Sequence, residues 1–470
     1  MRISRRTFLE GSVAFLAAGC VGPQVLPPRR IAPGSLVNVA LIGCGTQGKS
    51  NLDMLLVDNR LKVTVVCDPV LEAPGYSYKA QMVGGMKPFK ARIDAAYKDN
   101  SCRMVADWRA VVADPTIDAV FVCTPDHWHA IISIAAMKAG KHVYCQKPMA
   151  LSIEEGIVMT RVAKETGVTF QVGNQGRSNP VRRTASELIR NNILGKTTSC
   201  MVCLPEGSGG KWGHDINPHP APRPAYFSEE MWNLWQGPAE HWENNAFIPG
   251  IHEPMCWRWN RRYGNGMIAD FTPHEVDIVH WAMDFERTGP VAIENVVAGG
   301  FQENRAVYSW AGTFSYDLKY ATGFTMRVRN VEPNLPRGIL YSCEEGAINL
   351  YGQKLEIKDR NGKDIAKQVL RDWKHETRNA NSKLTRLYAP KDGHSHESDF
   401  IDGILEGRQV CSECEFGHRT TTTSHLANIC IDLGLTKAAW DPVAERFVGK
   451  ESEAANRRLA VPYANGWKLI

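Results

Sequence analysis

Residues 39–50 read VALIGCGTQGKS, and this stretch decides the fold of the first part of the chain. An apolar strand runs directly into three glycines with the spacing G-x-G-x-x-G, at Gly43, Gly45 and Gly48. The glycines open an amphipathic helix, and a second apolar strand, KVTVVC, ends just before Asp68. A strand, a glycine-rich turn and a helix, followed by an acidic residue after the next strand, predict a doubly wound parallel sheet that binds a dinucleotide.

Each part of the glycine-rich pattern has a task at the dinucleotide. Gly43 permits the tight turn, Gly45 lets the backbone approach the pyrophosphate, and Gly48 allows the helix to pack closely on the strand. The first turn of the helix, which contains Thr46 and Gln47, offers unpaired N–H groups and a partial positive charge to the phosphates.

Asp68 selects the cofactor. Its carboxylate can accept hydrogen bonds from the adenosine ribose hydroxyls and would repel a 2′-phosphate, so we expect NAD and not NADP. Further contacts are expected where later strands of the same sheet end, because ligands of doubly wound sheets bind outside the carboxyl ends of the strands. The remaining predicted cofactor contacts are Thr124, Pro125, His129, Gln146, Lys147 and Gln175.

Length and composition predict two domains of a globular α/β protein. The chain has 470 residues, which is too long for one ordinary domain. Of these residues, 43% are hydrophobic and 22% are charged, which is ordinary for a globular protein. Strands and helices alternate through residues 36–175, the predicted dinucleotide-binding domain, and residues 176–470 form the second domain. A net charge of +5, scattered along the chain, gives no support for nucleic-acid binding. No apolar run is long enough to predict a membrane-spanning helix.

The N-terminus is typical of an export signal. Residues 4–20 read SRRTFLEGSVAFLAAGC, with adjacent arginines at Arg5 and Arg6 before a short apolar stretch. This pattern resembles a bacterial twin-arginine (Tat) signal and predicts the periplasm or cell envelope. The LAAGC sequence resembles a lipoprotein cleavage box, which makes Cys20 a candidate lipid anchor. A proline-rich linker then completes a leader of residues 1–35.

Two later motifs resemble a known family. Residues 123–156 read CTPDHWHAIISIAAMKAGKHVYCQKPMALSIEEG, and residues 264–281 read GNGMIADFTPHEVDIVHW. With the glycine-rich turn they resemble the Gfo/Idh/MocA family of sugar and cyclitol oxidoreductases, over the chain from about residue 37 to its end. The resemblance implies a Rossmann domain, a second α/β domain with a large, mostly antiparallel open sheet, and a homo-oligomer, either a dimer or a tetramer. The closing segment, residues 461–470, is expected to pack back onto the body.

The same motifs provide the candidate catalytic residues. The family's Glu-Lys-Pro hallmark stands here as Gln146-Lys147-Pro148, so the hydrogen bond of the first residue is kept and its charge is lost. Asp270 and His274 are spaced i and i+4 and share one helix face. A histidine held by carboxylates can act as a general base. We therefore assign Lys147 and His274 as the proton-handling pair and Asp270 to orienting substrate hydroxyls. We expect no metal.

Candidate substrate contacts come from several other places in the sequence. An aromatic and proline-rich segment, residues 205–242, contains Trp212 and Trp235, whose faces would suit sugar rings; alternatively these tryptophans are buried anchors. Asp277 follows His274 on the same helix. His396 either contributes to the pocket or belongs to a capped helix start.

These observations predict an exported NAD-dependent oxidoreductase that acts on a secondary hydroxyl of a sugar or glycoside, with C3 as the candidate position. One alternative is an NAD-dependent glycosidase that uses transient oxidation and elimination. An alternative of another class is a sugar-binding lipoprotein with a relic NAD pocket. Because an exported enzyme meets no NAD pool, we expect a tightly bound cofactor, with residues 21–33 as a candidate clamp.

Overall fold

Two sheets of different kinds organise the protein in a computed structural model, which describes residues 26–74, 82–205, 217–253, 256–330, 337–379, 381–450 and 452–469. The proposed export signal, Cys20 and Trp212 lie outside these described residues. Within the described ranges, no helix has the length and apolar character needed to cross a membrane. The described cysteines are buried, apart from the half-buried Cys343.

The first domain alternates strands and helices. In chain order its elements are β1 (Val37–Ile42), α1 (Thr46–Leu55), β2 (Leu61–Cys67), β3 (Ala73–Pro74), β4 (Val83–Gly84), α2 (Met86–Tyr97), β5 (Arg103–Val105), α3 (Trp108–Ala113), β6 (Ala119–Val122), α4 (His129–Lys138), β7 (His142–Cys145), α5 (Ile153–Thr166) and β8 (Phe170–Val172). The main sheet is parallel with the order β5-β2-β1-β6-β7-β8, which confirms the predicted doubly wound fold. Its central strands are almost wholly apolar because helices cover both faces.

A capping box begins helix α5. The Ser152 hydroxyl accepts a hydrogen bond from the Glu155 N–H, and the Glu155 carboxylate accepts one from the Ser152 N–H. The helix ends at Gly167, whose φ of 66° lies in the left-handed region that favours glycine. These local signals place the start of α5 shortly after Lys147.

The second domain is built on a nine-stranded sheet. Its elements are α6 (Pro180–Arg190), β9 (Thr197–Cys203), α7 (Glu229–Gln236), α8 (Pro249–His252), α9 (Gly266–Met283), β10 (Ala292–Gly299), β11 (Thr313–Lys319), β12 (Thr325–Arg329), β13 (Gly338–Cys343), β14 (Gly346–Tyr351), β15 (Lys354–Asp359), α10 (Ala366–Glu376), α11 (His396–Glu406), α12 (Cys414–Asp432), β16 (Ala438–Asp441), β17 (Arg446–Val448) and α13 (Ser452–Asn456). The order is β15-β14-β13-β9-β12-β11-β10-β16-β17, and all pairs are antiparallel except β9 with β12. The predicted large, mostly antiparallel sheet is confirmed.

Helices from the second domain join it to the first. Helix α12 packs against both α9 and the first domain's α5, and α11 packs against α1. Helix α9 is therefore held between the two domains, and its N-terminal half lies near the loop that follows β7.

The C-terminal tail packs back onto the body, as expected. The Trp467 ring lies 4.9 Å from the Trp128 ring and 5.9 Å from the Trp108 ring, centroid to centroid. The Asn465 side chain donates hydrogen bonds to the carbonyls of Gly237 and Ala239 in the second domain. The tail thus bridges the two domains.

The described part of the proline-rich linker does not clamp the dinucleotide site, which corrects that expectation. The Leu26 N–H donates to the carbonyl of Lys138, and Arg29 lies 3.2 Å from a carboxylate oxygen of Asp118. Lys138 and Asp118 lie just before β7 and β6, at the amino ends of the strands. The glycine-rich turn lies at the opposite, carboxyl end of β1. Because the linker leads into the amino end of β1, it stays at that edge.

Candidate active site

At two of the three glycines of the glycine-rich turn, there is no room for a side chain. Gly43 has a φ of 102°, and a Cβ there would lie 2.6 Å from the backbone of Cys123. A Cβ at Gly48 would lie 2.0 Å from the carbonyl oxygen of Gly43. Helix α1 therefore begins at Thr46 in direct contact with the turn, with its first N–H groups facing outward past Gly45.

A large open pocket lies at the carboxyl ends of the parallel strands. Its empty volume is about 1150 Å³, and its wall is formed by both domains. Of the residues predicted from sequence, it is lined by Gly43, Gly45, Thr46, Gln47, Asp68, Thr124, Pro125, Gln146, Lys147 and Trp235. This is the place where doubly wound sheets bind nucleotides.

Asp68 is held in place by the backbone. The N–H of Cys44 donates to one carboxylate oxygen at 2.7 Å, and the N–H of Val70 donates to the other at 2.8 Å. These bonds fix the carboxylate at the end of β2, in the pocket wall. A carboxylate oxygen can accept a second hydrogen bond, so Asp68 keeps capacity for ribose hydroxyls.

The pocket has polar groups that suit a dinucleotide. The hydroxyl oxygen of Thr124 and the side-chain carbonyl oxygen of Gln146 are buried in its wall and have no hydrogen-bond partner among the described residues. Buried polar atoms without partners are costly, so a ligand that bonds to them is stabilising. Together with the helix N-terminus and Asp68, they fit NAD.

Lys147 lines the pocket and pairs with Asp270 of α9, which is not itself one of the residues of the pocket wall. The Lys147 ammonium lies 2.9 Å from one carboxylate oxygen of Asp270 and 3.1 Å from its backbone carbonyl oxygen. The other carboxylate oxygen lies 3.1 Å from Nε of Arg258. Burial alone would raise the pKa of Asp270, but the charges of Arg258 and Lys147 hold that pKa well below its usual range. Asp270 therefore binds two cations, and its role in orienting substrate hydroxyls stays a prediction, because a carboxylate oxygen can accept a second hydrogen bond.

His274 lies one helical turn after Asp270 and is neutral at neutral pH. Burial lowers its pKa well below the usual value, and the charge of Lys147 lowers it further, against the opposing effect of Asp270. Arg182 donates a hydrogen bond to the His274 carbonyl, which fixes the backbone there. A neutral imidazole beside a lysine can accept a proton.

Two predicted cofactor contacts lie outside the pocket wall, and both have structural partners. The ring nitrogens of the fully buried His129 lie 2.8 Å and 2.9 Å from the carbonyl oxygens of Pro148 and Thr124. His129 therefore joins the loops that follow β6 and β7. The Gln175 amide donates to the Tyr144 hydroxyl at 3.2 Å. The expected direct contact of His129 is therefore wrong, because both of its ring nitrogens are used within the protein, whereas that of Gln175 stays a prediction.

Two candidate substrate contacts are also structural. Asp277 is buried, and its carboxylate receives two hydrogen bonds from Arg177, at 2.7 Å and 2.9 Å. His396 is buried, with its ring nitrogens 2.9 Å from the Val172 carbonyl oxygen and 2.8 Å from the Ser178 hydroxyl oxygen. Because all these polar atoms are used within the protein, neither side chain is presented to a substrate. Of the two readings of the His396 segment, the capped helix start is the one observed.

Trp235 was expected to be either a pocket residue or a buried anchor, and it has features of both. It lines the pocket, but it is only 4% exposed, and its ring stacks on Trp232 at 5.7 Å. Its backbone carbonyl accepts hydrogen bonds from Trp128 and lies 3.1 Å from a ring nitrogen of His127. Trp235 is thus a buried anchor that forms part of the wall.

The amide of Gln146 connects to a carboxylate from the second domain. Gln146 donates to the Asn51 side-chain oxygen at 2.8 Å, and the Asn51 amide donates to Glu397 at 2.9 Å. The charge that Gln146 lacks is therefore present two hydrogen bonds away. Glu397 lies on α11, far along the chain, so no local pattern pointed to it.

Sequence reasoning missed two charged groups in the pocket, Asp126 and Arg258. Asp126 directly follows the Thr124-Pro125 pair at the end of β6, a position that could have identified it. Arg258 lies between two tryptophans in CWRW, just before the glycine-rich lead-in to α9. Burial raises the pKa of Asp126 well above its usual value; Arg258 opposes this, and Asp270 adds to it.

Comparisons with known proteins agree with this geometry. Residues 37–174 match the family model of the Gfo/Idh/MocA oxidoreductases, described as an oxidoreductase family with an NAD-binding Rossmann fold. Levoglucosan dehydrogenase from Pseudarthrobacter phenanthrenivorans is 29% identical over 246 residues, which cover 52% of this chain and 50% of that protein. An NAD(+)-dependent scyllo-inositol 2-dehydrogenase from Bacillus subtilis is 34% identical over 128 residues, which cover 27% of this chain and 36% of that protein.

A solved structure extends the likeness to both domains. Levoglucosan dehydrogenase in complex with NADH and levoglucosan aligns with a TM-score of 0.57 over 86% of this chain and 99% of that chain, at 17% identity. This shows a common fold. The sequence match itself spans half the length of the levoglucosan dehydrogenase and less of the inositol dehydrogenase.

Proposed function

We propose that this chain, which belongs to the Gfo/Idh/MocA oxidoreductase family, oxidises a secondary hydroxyl of a sugar or glycoside, with C3 as the candidate position. The observation that carries the proposal is the grouping of Lys147, Asp270 and His274 beside a pocket that fits NAD. Bound NAD would supply the hydride acceptor, and the protein would supply binding and proton transfer.

The chain's own residues divide this work by charge. Asp270 holds the Lys147 ammonium at 2.9 Å, so that it can donate a hydrogen bond to the substrate oxygen as negative charge develops there. His274, neutral because of burial and the nearby lysine, would accept the hydroxyl proton. The Trp235 wall, shielded by Trp232, would keep water from the reacting atoms.

Export and cofactor retention belong to the same proposal. The Tat-like leader would carry the folded protein to the periplasm or cell envelope, with Cys20 as the lipid anchor. Replacing Arg5 and Arg6 by lysine keeps the charge and should leave folded protein in the cytoplasm; normal export of this variant would contradict the Tat assignment. A Cys20→Ser variant that loses membrane association would support the anchor.

The decisive experiment follows the nucleotide in purified protein. We expect the protein to purify with NAD or NADH that dialysis does not remove. A panel of sugars, glycosides and cyclitols should include one that reduces the bound nucleotide in a single turnover, with a keto-sugar as product. A hydrolysed glycoside would indicate the glycosidase alternative. Sugar binding by a protein that never carries nucleotide would indicate the relic pocket.

Assembly is the remaining part of the proposal. In the family resemblance, the open face of the large sheet mediates oligomerisation, so we propose a homo-oligomer. Light scattering on purified protein should give the mass of a dimer or tetramer, and a monomer at micromolar concentration would contradict it.

A further inference from the structure

Arg258 is held rigidly in the wall of the NAD pocket. It lies on the single helical turn Cys256–Trp259, and its guanidinium carbon is 4.2 Å from the centroid of the Trp257 ring. Its Nε lies 3.1 Å from Asp270, and its side chain is 20% exposed. Stacking on one side and an ion pair along one edge fix the plane of the guanidinium before any ligand binds.

The outer edge of this guanidinium is unused. Its two terminal amino groups make no hydrogen bond to any residue that the structure describes, although the side chain is largely buried. Two other buried arginines use their terminal amino groups within the protein. Arg177 bonds to Asp277, Glu286 and the Cys411 carbonyl, and Arg182 forms two bonds to Glu275. Arg258 therefore presents a planar pair of donors to the pocket, the arrangement that recognises a carboxylate through two parallel bonds.

The charges around the pocket also favour an anion. Lys147 and Arg258 share the single carboxylate of Asp270. The other acid nearby, Asp126, is 4% exposed, has no ion pair within the described residues, and burial raises its pKa well above its usual value. Among the described residues, Asp270 is thus the only carboxylate that pairs with either cation, and it contacts Nζ of Lys147 and Nε of Arg258. Asp68 belongs to the opposite end of the pocket, where it bonds the backbone of Cys44 and Val70.

We propose that Arg258 binds a carboxylate of the substrate, and that the substrate is therefore a sugar acid, such as a uronate or its glycoside. This inference rests on the proposed oxidoreductase function and names its substrate class. The carboxylate would bind the two terminal amino groups of Arg258, which Asp270 does not contact. It would also orient the sugar ring so that a secondary hydroxyl faces Lys147 and His274.

Pairs of sugars that differ only in the acid group test this proposal. Single-turnover reduction of the bound nucleotide is measured with D-glucuronate against D-glucose, D-galacturonate against D-galactose, and the methyl glycosides of each. Two charge-assisted hydrogen bonds should favour the acid of at least one pair by about tenfold to a hundredfold in the second-order rate constant of this reduction. Calorimetric binding of the same sugars to the nucleotide-loaded protein gives a second readout that does not require turnover.

Substitutions identify the residue responsible. Arg258→Gln should abolish the preference for the acid over its neutral partner, and Arg258→Lys should retain part of it, because the charge remains and the paired donors are lost. The ratio is the readout, since Arg258 also contacts Asp270. Arg262→Gln is the matched control: Arg262 lies nearby but pairs with Glu240, so the ratio should not change.

The outcomes separate this inference from the proposed function. If neutral sugars reduce the nucleotide as well as acids do, or if Arg258→Gln keeps the acid preference, the sugar-acid inference is overturned and the oxidoreductase proposal stands. If no sugar reduces the nucleotide but the acids bind in a way that depends on Arg258, the proposed oxidoreductase activity is contradicted and the assignment of a sugar acid as ligand is supported. If the acids neither bind nor react, this inference is wrong.

Discussion

The Lys147 ammonium and the Asp270 carboxylate lie 2.9 Å apart, although 123 positions separate them in the chain and they belong to different domains. Lys147 lies two residues after the end of β7 in the first domain, and Asp270 lies in the second turn of α9. The ion pair forms only when the two domains are packed together. The proposed proton-handling group is thus assembled by tertiary structure, and its role can be tested by substitution.

Replacing Lys147 by methionine should slow the chemical step by about a hundredfold or more, the usual cost of losing a general acid–base group. His274→Asn should have a similar effect, because it removes the neutral proton acceptor. Bound nucleotide should remain in both variants. Single-turnover reduction by the active sugar measures the rate. Lys164→Met, at an exposed lysine that pairs with Glu415, is the control and should react normally. Near-normal rates in both site variants would contradict the assignment.

Gly48→Ala should abolish nucleotide binding. The new Cβ would lie 2.0 Å from the Gly43 carbonyl oxygen, so the helix would have to move away from the turn that faces the pyrophosphate. The change would otherwise favour the helix, because alanine is the better helix former. Gly289→Ala is the matched control, since its Cβ meets only Pro442 at an ordinary 3.5 Å. The nucleotide content of purified protein, measured after denaturation, checks the difference. Full occupancy in Gly48→Ala would mean that the turn is not the pyrophosphate site.

Asp68→Asn should weaken NAD binding and reduce the discrimination against NADP. The substitution removes the charge that would repel a 2′-phosphate, and it replaces one acceptor oxygen by a donor. The ratio of NAD to NADP affinity, measured on protein stripped of nucleotide, is the readout. Asp118→Asn is the control, because Asp118 also accepts a backbone N–H, from Asn38, but at the other end of the sheet. An unchanged ratio in Asp68→Asn would place the ribose elsewhere.

Glu155 should make the protein less stable as the pH rises. Burial raises its pKa from 4.5 to about 7, despite hydrogen bonds from Tyr463 and the Leu151 N–H. Between these values the folded state keeps a proton that the unfolded state has lost. The stability contribution is therefore complete below pH 4.5 and is lost as the pH rises towards 7, by roughly 3 kcal/mol in total.

Glu155→Gln cannot ionise and should lack this decline. Urea unfolding of the two proteins across this pH range measures the difference. As the pH increases, the free energy of unfolding of the wild type should fall relative to that of the variant. Parallel curves for the two proteins would show that Glu155 does not keep its proton in the folded state.

Trp467→Ala should speed the loss of bound nucleotide. Trp467 packs behind Trp108 and Trp128, and both of these rings line the pocket. Removing it leaves a gap in that wall, and the neighbouring rings gain freedom to move. The release rate of nucleotide into a trap is the measurement. Trp440→Ala, in a buried pair with Phe447 on the second sheet, controls for general loss of stability and should not change the release rate. Equal release rates in wild type and Trp467→Ala would exclude the tail as a retention device.

Several features of the site could be predicted from the sequence because they are local. The close packing of Gly48 on the Gly43 carbonyl is set by sterics within six residues, and the position of Asp68 follows from its place after the next strand. The capping box of Ser152 and Glu155 likewise needs only neighbours in the chain. Asp270 and His274 share a helix face because of the helical period alone.

Other features were decided only by the tertiary structure. His129, Asp277 and His396 have the residue types of catalytic groups, yet their polar atoms are used by distant carbonyls, a hydroxyl and an arginine that only folding brings near. Conversely, Arg258 resembles an ordinary arginine until the fold leaves its terminal amino groups without partners among the residues that the structure describes. The sequence by itself determined which segments bind a dinucleotide and which residue types could move a proton. Which of these residues face the pocket was decided by burial and long-range pairing, because a polar side chain is available to a ligand only when the protein does not already satisfy it.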